Sequence, residues 1–241
     1  MPQATKKLQR TFLCMALVAI LVSVAVKNVD ASFKSAADFD THVSTLFQKI
    51  KFNGTPPPYD LFYHAFAGYS KLKKRNLLSA KEILTVIDFR ISANEKRLWV
   101  IDLKNGTLLF HVLTAHGRNS GDVFAKTFSN TINSNQSSLG FYVTGNKYIG
   151  KHGISLKLRG VEKGINDNAE TRAIVMHAAD YVSESHIKKY GRLGRSFGCP
   201  AVPVEVHKEI IDTLSQGTCL FIYYPDTDYL TRTAIKGTPD L

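Results

Sequence analysis

Residues 32–82 carry the hydrophobic spacing of two amphipathic helices. Through residues 35–51 apolar side chains recur every three or four positions, at Ala36, Phe39, Val43, Phe47 and Ile50. Ser35 and Asp38 resemble a capping box at the start of this helix, and Asn53-Gly54 with the prolines after it ends the pattern. A second helix, with an aromatic stripe, begins near Pro58. We therefore predict a helical N-terminal extension over residues 32–82.

From residue 83 onward the pattern changes to short runs rich in Val, Ile, Leu and Phe, which are typical of strands. Such runs cover residues 83–90, 97–103, 107–114, 140–144, 154–159, 172–177 and 218–224. Asn105-Gly106 predicts a tight hairpin, and Pro203 begins a helix that ends before the last run. Many strands and few helices indicate a mainly β sandwich or barrel-like domain over residues 83–226, with a C-terminal tail at 227–241.

The first 31 residues have the pattern of an export signal peptide. Three basic residues precede an apolar run over residues 12–26, and Val29-Asp30-Ala31 provides a cleavage site before Ser32. The run is shorter than the roughly 20 residues that a membrane-spanning helix needs. An uncleaved anchor is the alternative. In both cases we expect the rest of the chain to function outside the cytoplasm, in the periplasm or cell-wall compartment, with membrane contact only through the signal.

The charge of the chain favours anionic surroundings. The formal net charge is +11, and removal of a signal that carries +3 leaves +8. A basic surface of this kind suits an anionic cell-wall polymer or a membrane surface, or serves solubility alone. Nucleic acid is a poor candidate because an exported chain without a basic-aromatic module lacks the usual means of binding it. Three cysteines are too few for a disulfide scaffold.

The segment around Cys199 carries the strongest signal for chemistry. Gly198 permits unusual backbone dihedrals, and Pro200 keeps Cys199 out of helical geometry. Arg192 and Arg195 lie close in sequence and are expected to favour a thiolate. The backbone N–H groups of Gly198 and Cys199 could hold an oxyanion. We therefore interpret Cys199 as a nucleophile rather than a structural thiol. Cys219, within an apolar run, is expected to be a core thiol.

A cysteine nucleophile needs a base, and the chain has eight histidines. Five of them lie on predicted helices or within a strand, namely His42, His64, His111, His186 and His207. The three that remain are His116, His152 and His177. His177 ends a strong strand 22 residues before Cys199, and a strand end is a rigid platform for a base. We therefore predict that His177 is the general base.

The pairing of a strand-end histidine with a downstream Ser-x-Gly-Cys resembles the L,D-transpeptidase catalytic domain (YkuD-like) family. The string Gly-Arg-Ser-Phe-Gly-Cys-Pro-Ala is most similar to its murein L,D-transpeptidase variant subgroup. The resemblance covers roughly residues 83–226. It implies a β-sandwich and cofactor-free acyl transfer on peptidoglycan stem peptides, through a thioester on Cys199. It also implies His177 as base, with Ser196 and Gly198 completing the catalytic loop.

Two positions depart from the family pattern. Ala178 stands where the family usually has Gly after the histidine, and Pro200-Ala201 follows the cysteine where the family usually has Arg. The contact with the substrate carboxylate is therefore assigned to Arg195 or Arg192, and His152 and His116 are further candidates for substrate binding. The family often orients its histidine with a backbone carbonyl, and Asp180 is an acidic alternative.

Other readings of the same residues stay open. Gly194 to Gly198 also matches the G-x-S-x-G elbow of serine hydrolases, although only His207 follows Ser196 in the required order. His116, His152, His177 and Cys199 are acceptable zinc ligands, but no pair has the spacing of a zinc motif. An L,D-carboxypeptidase or another wall amide hydrolase of the same fold, and a wall-binding protein with an inert cysteine, complete the alternatives.

Overall fold

The computed structural model describes residues 33–235, so the predicted signal and the last residues of the predicted tail lie outside the described residues. Five helices occupy this part of the chain: α1 (Ala36–Lys49), α2 (Tyr59–Lys74), α3 (Glu184–Tyr190), α4 (His207–Leu214) and α5 (Thr227–Arg232). The strands are β1 (Ile83–Asp88), β2 (Leu98–Asp102), β3 (Thr107–Val112), β4 (Gly140–Gly150), β5 (Gly153–Gly160), β6 (Val175–Ala178), β7 (Ala201–Val202) and β8 (Cys219–Tyr223).

All eight of these strands belong to one barrel-like sheet, in the order β3-β2-β1-β8-β4-β5-β6-β7. The prediction of a mainly β fold with a helical lead-in is thus confirmed. Neighbouring strands are antiparallel except at β1–β8 and β6–β7, which are parallel. The strands β1 and β8 are buried along their whole length, which explains why β8 is apolar throughout and β1 is apolar except for Thr85 and Asp88. No helix within residues 33–235 is long and apolar enough to cross a membrane.

The helical lead-in packs on this sheet. Ser35 caps α1 by accepting a hydrogen bond from the backbone N–H of Asp38, as the sequence predicts. An aromatic cluster joins α1 to α2 and includes Phe39, Phe47, Phe62, Tyr63 and Phe66. On its other side α2 contacts β1 and β8. The predicted boundaries after residues 82 and 226 stay predictions, although α2 already contributes to the same core as the strands.

Four local features differ from the sequence prediction. The helix predicted to begin at Pro203 begins at His207 as α4, because residues 204–206 form a turn. The strand β4 continues to Gly150, because its second half forms an exposed hairpin with β5. The strand β6 begins at Val175 rather than residue 172, because residues 162–174 form consecutive backbone turns. The two-residue strand β7 was not predicted, since its only pairing is with β6. Cys219 is a buried free thiol in β8, as expected.

A substitution at Gly68 tests how closely α2 approaches the sheet. A Cβ at this position would lie 2.0 Å from the ring of Phe141 in β4, so the ring would have to move. In an isolated helix Ala is favoured over Gly by about 1 kcal/mol, but overpacking a core costs about 1–3 kcal/mol. We expect Gly68→Ala to lower the free energy of unfolding, measured by urea denaturation.

The control for this prediction is Ser70→Ala, two residues further along α2. Ser70 is half-buried and its hydroxyl donates only to Phe66 O of its own helix. Its replacement should change the free energy of unfolding by less than about 0.5 kcal/mol. A Gly68→Ala protein more stable than the parent would show that α2 does not pack against β4 in this way.

Candidate active site

The loop that holds Cys199, residues 191–200 (the Cys loop), leads from α3 into β7. The parallel pairing of β6 with β7 places Ala201 opposite His177 in register, so Cys199 enters the sheet beside the strand that carries His177. The Cys199 sulfur accepts a hydrogen bond from the Val175 N–H at 3.5 Å and lies 3.7 Å from Ala173 O. The predicted nucleophile therefore contacts the strand that carries the predicted base, at Val175, two residues before His177.

His177 is held in one orientation by the backbone. Its side chain is buried, and Nδ1 lies 2.8 Å from the carbonyl oxygen of Ala178. Because a carbonyl can only accept, Nδ1 carries the hydrogen, and Nε2 of the neutral ring has a free lone pair. Burial lowers the pKa of His177, although the Ala178 carbonyl partly opposes this. Asp180 is exposed and not required to orient the ring.

The tip of the β4–β5 hairpin reaches His177. The ring of His152 stacks on the ring of His177, with centroids 4.3 Å apart and planes inclined by 18°. The neighbouring Lys151 acts on both members of the pair, since its positive charge lowers the pKa of His177 and of Cys199. His152 is thus exposed beside the base, where a substrate could contact it.

The protonation state of Cys199 is governed by burial. Burial raises the pKa of the Cys199 thiol, and the Val175 N–H, Arg172 and Lys151 oppose this effect. The expectation that Arg192 and Arg195 favour a thiolate is therefore not supported. Both side chains instead form ion pairs with Asp122, at 3.0 and 3.3 Å, and the cations that act on the sulfur are Arg172 and Lys151.

Ser196 and Gly198 fix the shape of the Cys loop. The Ser196 hydroxyl donates to Cys199 O at 2.6 Å and accepts from the Gly198 N–H at 3.0 Å. The Gly198 N–H is thus already bonded, which corrects the expectation that it is available for an oxyanion. The Cys199 N–H has no acceptor among the described residues. It is thus a backbone donor next to the sulfur that this loop leaves without a partner.

Arg172, which the sequence did not single out, lies behind the Cys loop. Its guanidinium group bonds the polar segment of residues 129–138 (the polar loop), with acceptors Ser129 O, Ser138 Oγ, Ser134 Oγ and Gln136 O. The sequence interval between Arg172 and these partners is 34 to 43 residues. No local pattern announces contacts of that range, so only the folded structure reveals them.

His116 supports the Cys loop from inside the protein. It is fully buried, and its Nδ1 lies 2.8 Å from Nη2 of Arg97, which is also fully buried. Burial and the Arg97 charge lower the pKa of His116 to about 4. Its carbonyl accepts a hydrogen bond from the Ser196 N–H at 2.9 Å. The expectation that His116 contacts substrate is corrected, because its ring has no exposed surface.

The alternative chemistries find little support in this geometry. Within residues 33–235 no group of three or more His, Cys, Asp or Glu side chains is arranged to hold a metal ion. The Ser196 hydroxyl donates to Cys199 O rather than to a histidine, and His207 Nδ1 contacts Val204 O. A serine-hydrolase arrangement is therefore not formed.

Comparison with protein families identifies the class of the fold and site. Residues 57–223 match the L,D-transpeptidase catalytic domain family. This match covers more than half of the chain, so the chain belongs to the L,D-transpeptidase catalytic domain family. It begins before α2 and ends with β8. No curated protein matches the chain significantly in sequence.

Several solved structures are similar to this chain. An L,D-transpeptidase from Mycobacterium smegmatis is 14% identical, with 59% of each chain covered and a TM-score of 0.37. The L,D-transpeptidase of Xylanimonas cellulosilytica DSM 15894 is 13% identical, with 76% of this chain and 91% of that chain covered and a TM-score of 0.37. The L,D-transpeptidase of Stackebrandtia nassauensis is 12% identical, with 78% of each chain covered and a TM-score of 0.35. The match therefore spans less than two thirds of the M. smegmatis chain.

A pair of glycine substitutions tests the packing of the Cys loop. Gly198 has φ of +125°, and a Cβ on it would lie 2.7 Å from Gln136 O. Gly191, with φ of +75°, has open space around the same position. Both Ala variants incur backbone strain, but only Gly198→Ala also meets a fixed backbone atom. We expect Gly198→Ala to be destabilised by about 1–3 kcal/mol more than Gly191→Ala in urea denaturation.

The same two variants should also differ in the reactivity of the Cys199 sulfur. Gly198→Ala must shift Cys199 relative to Val175 and Ala173, so its rate of alkylation by iodoacetamide should change, whereas the rate of Gly191→Ala should equal that of the parent. Equal stability and equal alkylation rates in the two variants would contradict the close packing of Gly198.

Proposed function

We propose that this protein is a peptidoglycan L,D-transpeptidase that acts on stem peptides outside the cytoplasm. Family membership supports the general activity. The observation that carries the proposal is the placement of the Cys199 sulfur on β6, the strand that also holds His177 with Nδ1 fixed on a carbonyl. The predicted export signal supports the location, because it directs the chain to the compartment where stem peptides occur.

In the proposed first half-reaction His177 acts as general base. Its Nε2 takes the thiol proton as the Cys199 sulfur attacks the carbonyl carbon between the third, diamino-acid residue of a tetrapeptide stem and its terminal D-Ala. The Cys199 N–H donates to the oxyanion of the tetrahedral intermediate. When the intermediate collapses, the C–N bond breaks and the proton on Nε2 passes to the departing amine. D-Ala leaves, and the shortened stem remains as a thioester on Cys199.

In the second half-reaction an acceptor amine attacks the thioester. His177 takes a proton from this amine, the C–S bond breaks, and the proton returns to the sulfur. The acceptor is the amine of another stem in the proposed transpeptidation. Water as acceptor would give an L,D-carboxypeptidase by the same steps, so product analysis decides between the two activities.

Substrate contacts are proposed for His152 and for two arginines of the Cys loop, Arg192 and Arg195. His152 is exposed beside His177. Arg195 and Arg192 share the single carboxylate of Asp122, whose side chain is 67% exposed, so a stem carboxylate could replace Asp122 as their partner. A charge-assisted hydrogen bond of this kind contributes about 1.5–3 kcal/mol.

The donor preference tests the proposed reaction. Purified protein is incubated with tetrapeptide and with pentapeptide stems, and released D-Ala and the peptide products are identified by mass. We expect D-Ala release from tetrapeptides and little reaction of pentapeptides, because the proposed scissile bond follows the third residue. Cleavage of the D-Ala–D-Ala bond of pentapeptides would assign the protein to a different class of wall enzyme.

Cys199→Ala and Cys219→Ala are the matched controls, since each removes one free thiol. Only Cys199→Ala should abolish D-Ala release and the covalent adduct that a carbapenem is expected to leave on the protein. An adduct retained by Cys199→Ala would contradict its assignment as nucleophile. An inert Cys199 in a protein that still binds peptidoglycan would favour the wall-binding alternative.

The pH dependence tests the role of His177. A general base must be neutral, and burial lowers the pKa of His177 below its ordinary 6.5, so activity should persist below pH 6.5. The Lys151 charge contributes to this lowering. Its removal in Lys151→Gln favours the imidazolium form, raises the pKa of His177 and moves the acid limb of kcat/KM to higher pH.

Lys147→Gln is the control for this shift. Lys147 lies on the same hairpin, but its ammonium group pairs with Asp212. Its removal should leave the acid limb where it is. A limb that moves equally in both variants would indicate a general effect of surface charge rather than the action of Lys151 on His177.

A further inference from the structure

The geometry points to Arg172 as a positioning residue for the nucleophile, which holds the polar loop against the back of the Cys loop and supplies the positive charge that stabilises the Cys199 thiolate. This inference rests on the proposed function of Cys199. Arg172 acts through the sulfur and the loop and is not assigned a contact with substrate.

The hydrogen bonds of Arg172 fix the polar loop at several points along its length. Nη1 donates to Ser129 O at 2.7 Å and to the Ser138 hydroxyl, at the two ends of the loop. Nη2 donates to Gln136 O at 2.6 Å and to the Ser134 hydroxyl at 3.2 Å. A planar guanidinium group is the side chain whose donor geometry can serve this many acceptors at once. A lysine could not replace it.

The polar loop in turn contacts the residue before the nucleophile. A Cβ on Gly198 would lie 2.7 Å from Gln136 O and 3.4 Å from Nη2 of Arg172, so these three groups pack without intervening space. The Ser137 hydroxyl donates to Gly198 O at 3.1 Å. The position of the Cys199 backbone therefore depends on the loop that Arg172 holds.

The charge of Arg172 has no carboxylate partner among the described residues. All four of its acceptors are neutral oxygens, whereas Arg192 and Arg195 share the carboxylate of Asp122. Burial lowers the pKa of Arg172, and the groups that oppose this are Tyr142 and Cys199. Tyr142 donates its hydroxyl hydrogen to Ser138 O and is neutral. A thiolate at Cys199 would thus be the counter-ion that this half-buried guanidinium lacks.

The residues that follow Arg172 in sequence support its role as a positioning residue. The residues that follow Arg172 supply both backbone contacts of the sulfur, the carbonyl of Ala173 and the N–H of Val175. Ala173 adopts a positive φ of 54°, which L-residues with a side chain rarely adopt. This turn directs the Ala173 carbonyl to the sulfur, where it accepts the thiol hydrogen, whereas the Val175 N–H donates to the sulfur and is the backbone group that stabilises a thiolate. One short segment thus provides the cation, the donor for the thiolate and the acceptor for the thiol.

The experiment measures the alkylation of Cys199 by iodoacetamide as a function of pH. The full chain is used, and modification is quantified on the peptide that contains Cys199, so Cys14 and Cys219 do not contribute. In Arg172→Gln the thiolate loses its cation, so the profile should move to higher pH and the rate at pH 7 should fall about tenfold. Arg159→Gln, which removes an exposed arginine of β5, should leave the profile unchanged.

Two substitutions at Ser134 test the charge while keeping Arg172, in case Arg172→Gln does not fold. Ser134→Asp places a carboxylate beside Nη2 and should move the alkylation profile to higher pH in the same direction as Arg172→Gln. Ser134→Ala removes the hydrogen bonds that the hydroxyl accepts from Arg172 Nη2 and from the Gln136 N–H but adds no charge, so it should leave the profile in place. A profile unchanged in Ser134→Asp, and in Arg172→Gln where that variant folds, overturns the inference, and so does an equal shift in Arg159→Gln.

Arg172→Lys separates the two parts of the inference. Its ammonium group retains the charge but cannot make all four hydrogen bonds, so the alkylation profile should stay close to that of the parent while kcat for D-Ala release falls. Alkylation does not depend on transpeptidation. A parent protein that releases no D-Ala but shows the predicted shifts would therefore refute the proposed function and leave the role of Arg172 standing.

Discussion

The close approach of backbone at Gly198 is the constraint on which the site depends. The polar loop, Arg172 and the Cys loop meet there, and a Cβ would overlap Gln136 O. The parallel pairing of β6 and β7 begins at Ala201, two residues after Cys199. The backbone is therefore restrained before Cys199 by the contact at Gly198 and after it by β6. The chain reaches this arrangement through loops that are hydrogen-bonded to one another rather than through long strands, so hydrogen bonds between loops determine the geometry around Cys199.

Burial then determines how the two candidate reactive groups share a proton. It raises the pKa of the Cys199 thiol and lowers the pKa of His177, so in both groups burial favours the neutral form. A preformed thiolate–imidazolium pair would need strong compensation for two buried charges. In the proposed mechanism charge forms only when the proton moves, and the Val175 N–H, Arg172 and Lys151, which oppose the effect of burial on the pKa of Cys199, would stabilise the sulfur at that moment.

The sequence predicted those features that short-range patterns determine. Periodicity located α1, α2 and most strands. Residue types selected Cys199 in one loop and His177 at a strand end as the candidate nucleophile and base, which remain predictions. Contacts between segments that are distant along the chain could not be predicted from such patterns. The residues that follow His116 are polar, which suggests an exposed position. In the structure His116 is buried, and its ring contacts Arg97, nineteen residues earlier. Arg192 and Arg195 were selected by proximity in sequence, but their side chains turn to Asp122.

The two departures from the family pattern can be interpreted physically. Ala178 replaces a usual glycine, and the backbone carbonyl that orients His177 is still present, since a methyl group does not remove it. Pro200 and Ala201 follow Cys199 where an arginine is usual, and the charge of Arg172, from a segment 27 residues earlier, nevertheless acts to lower the pKa of the Cys199 thiol. A developing thiolate requires positive charge at a certain place in space. The fold can meet that requirement from any segment that reaches the site, so the identity of one motif position is a weak guide to whether the requirement is met.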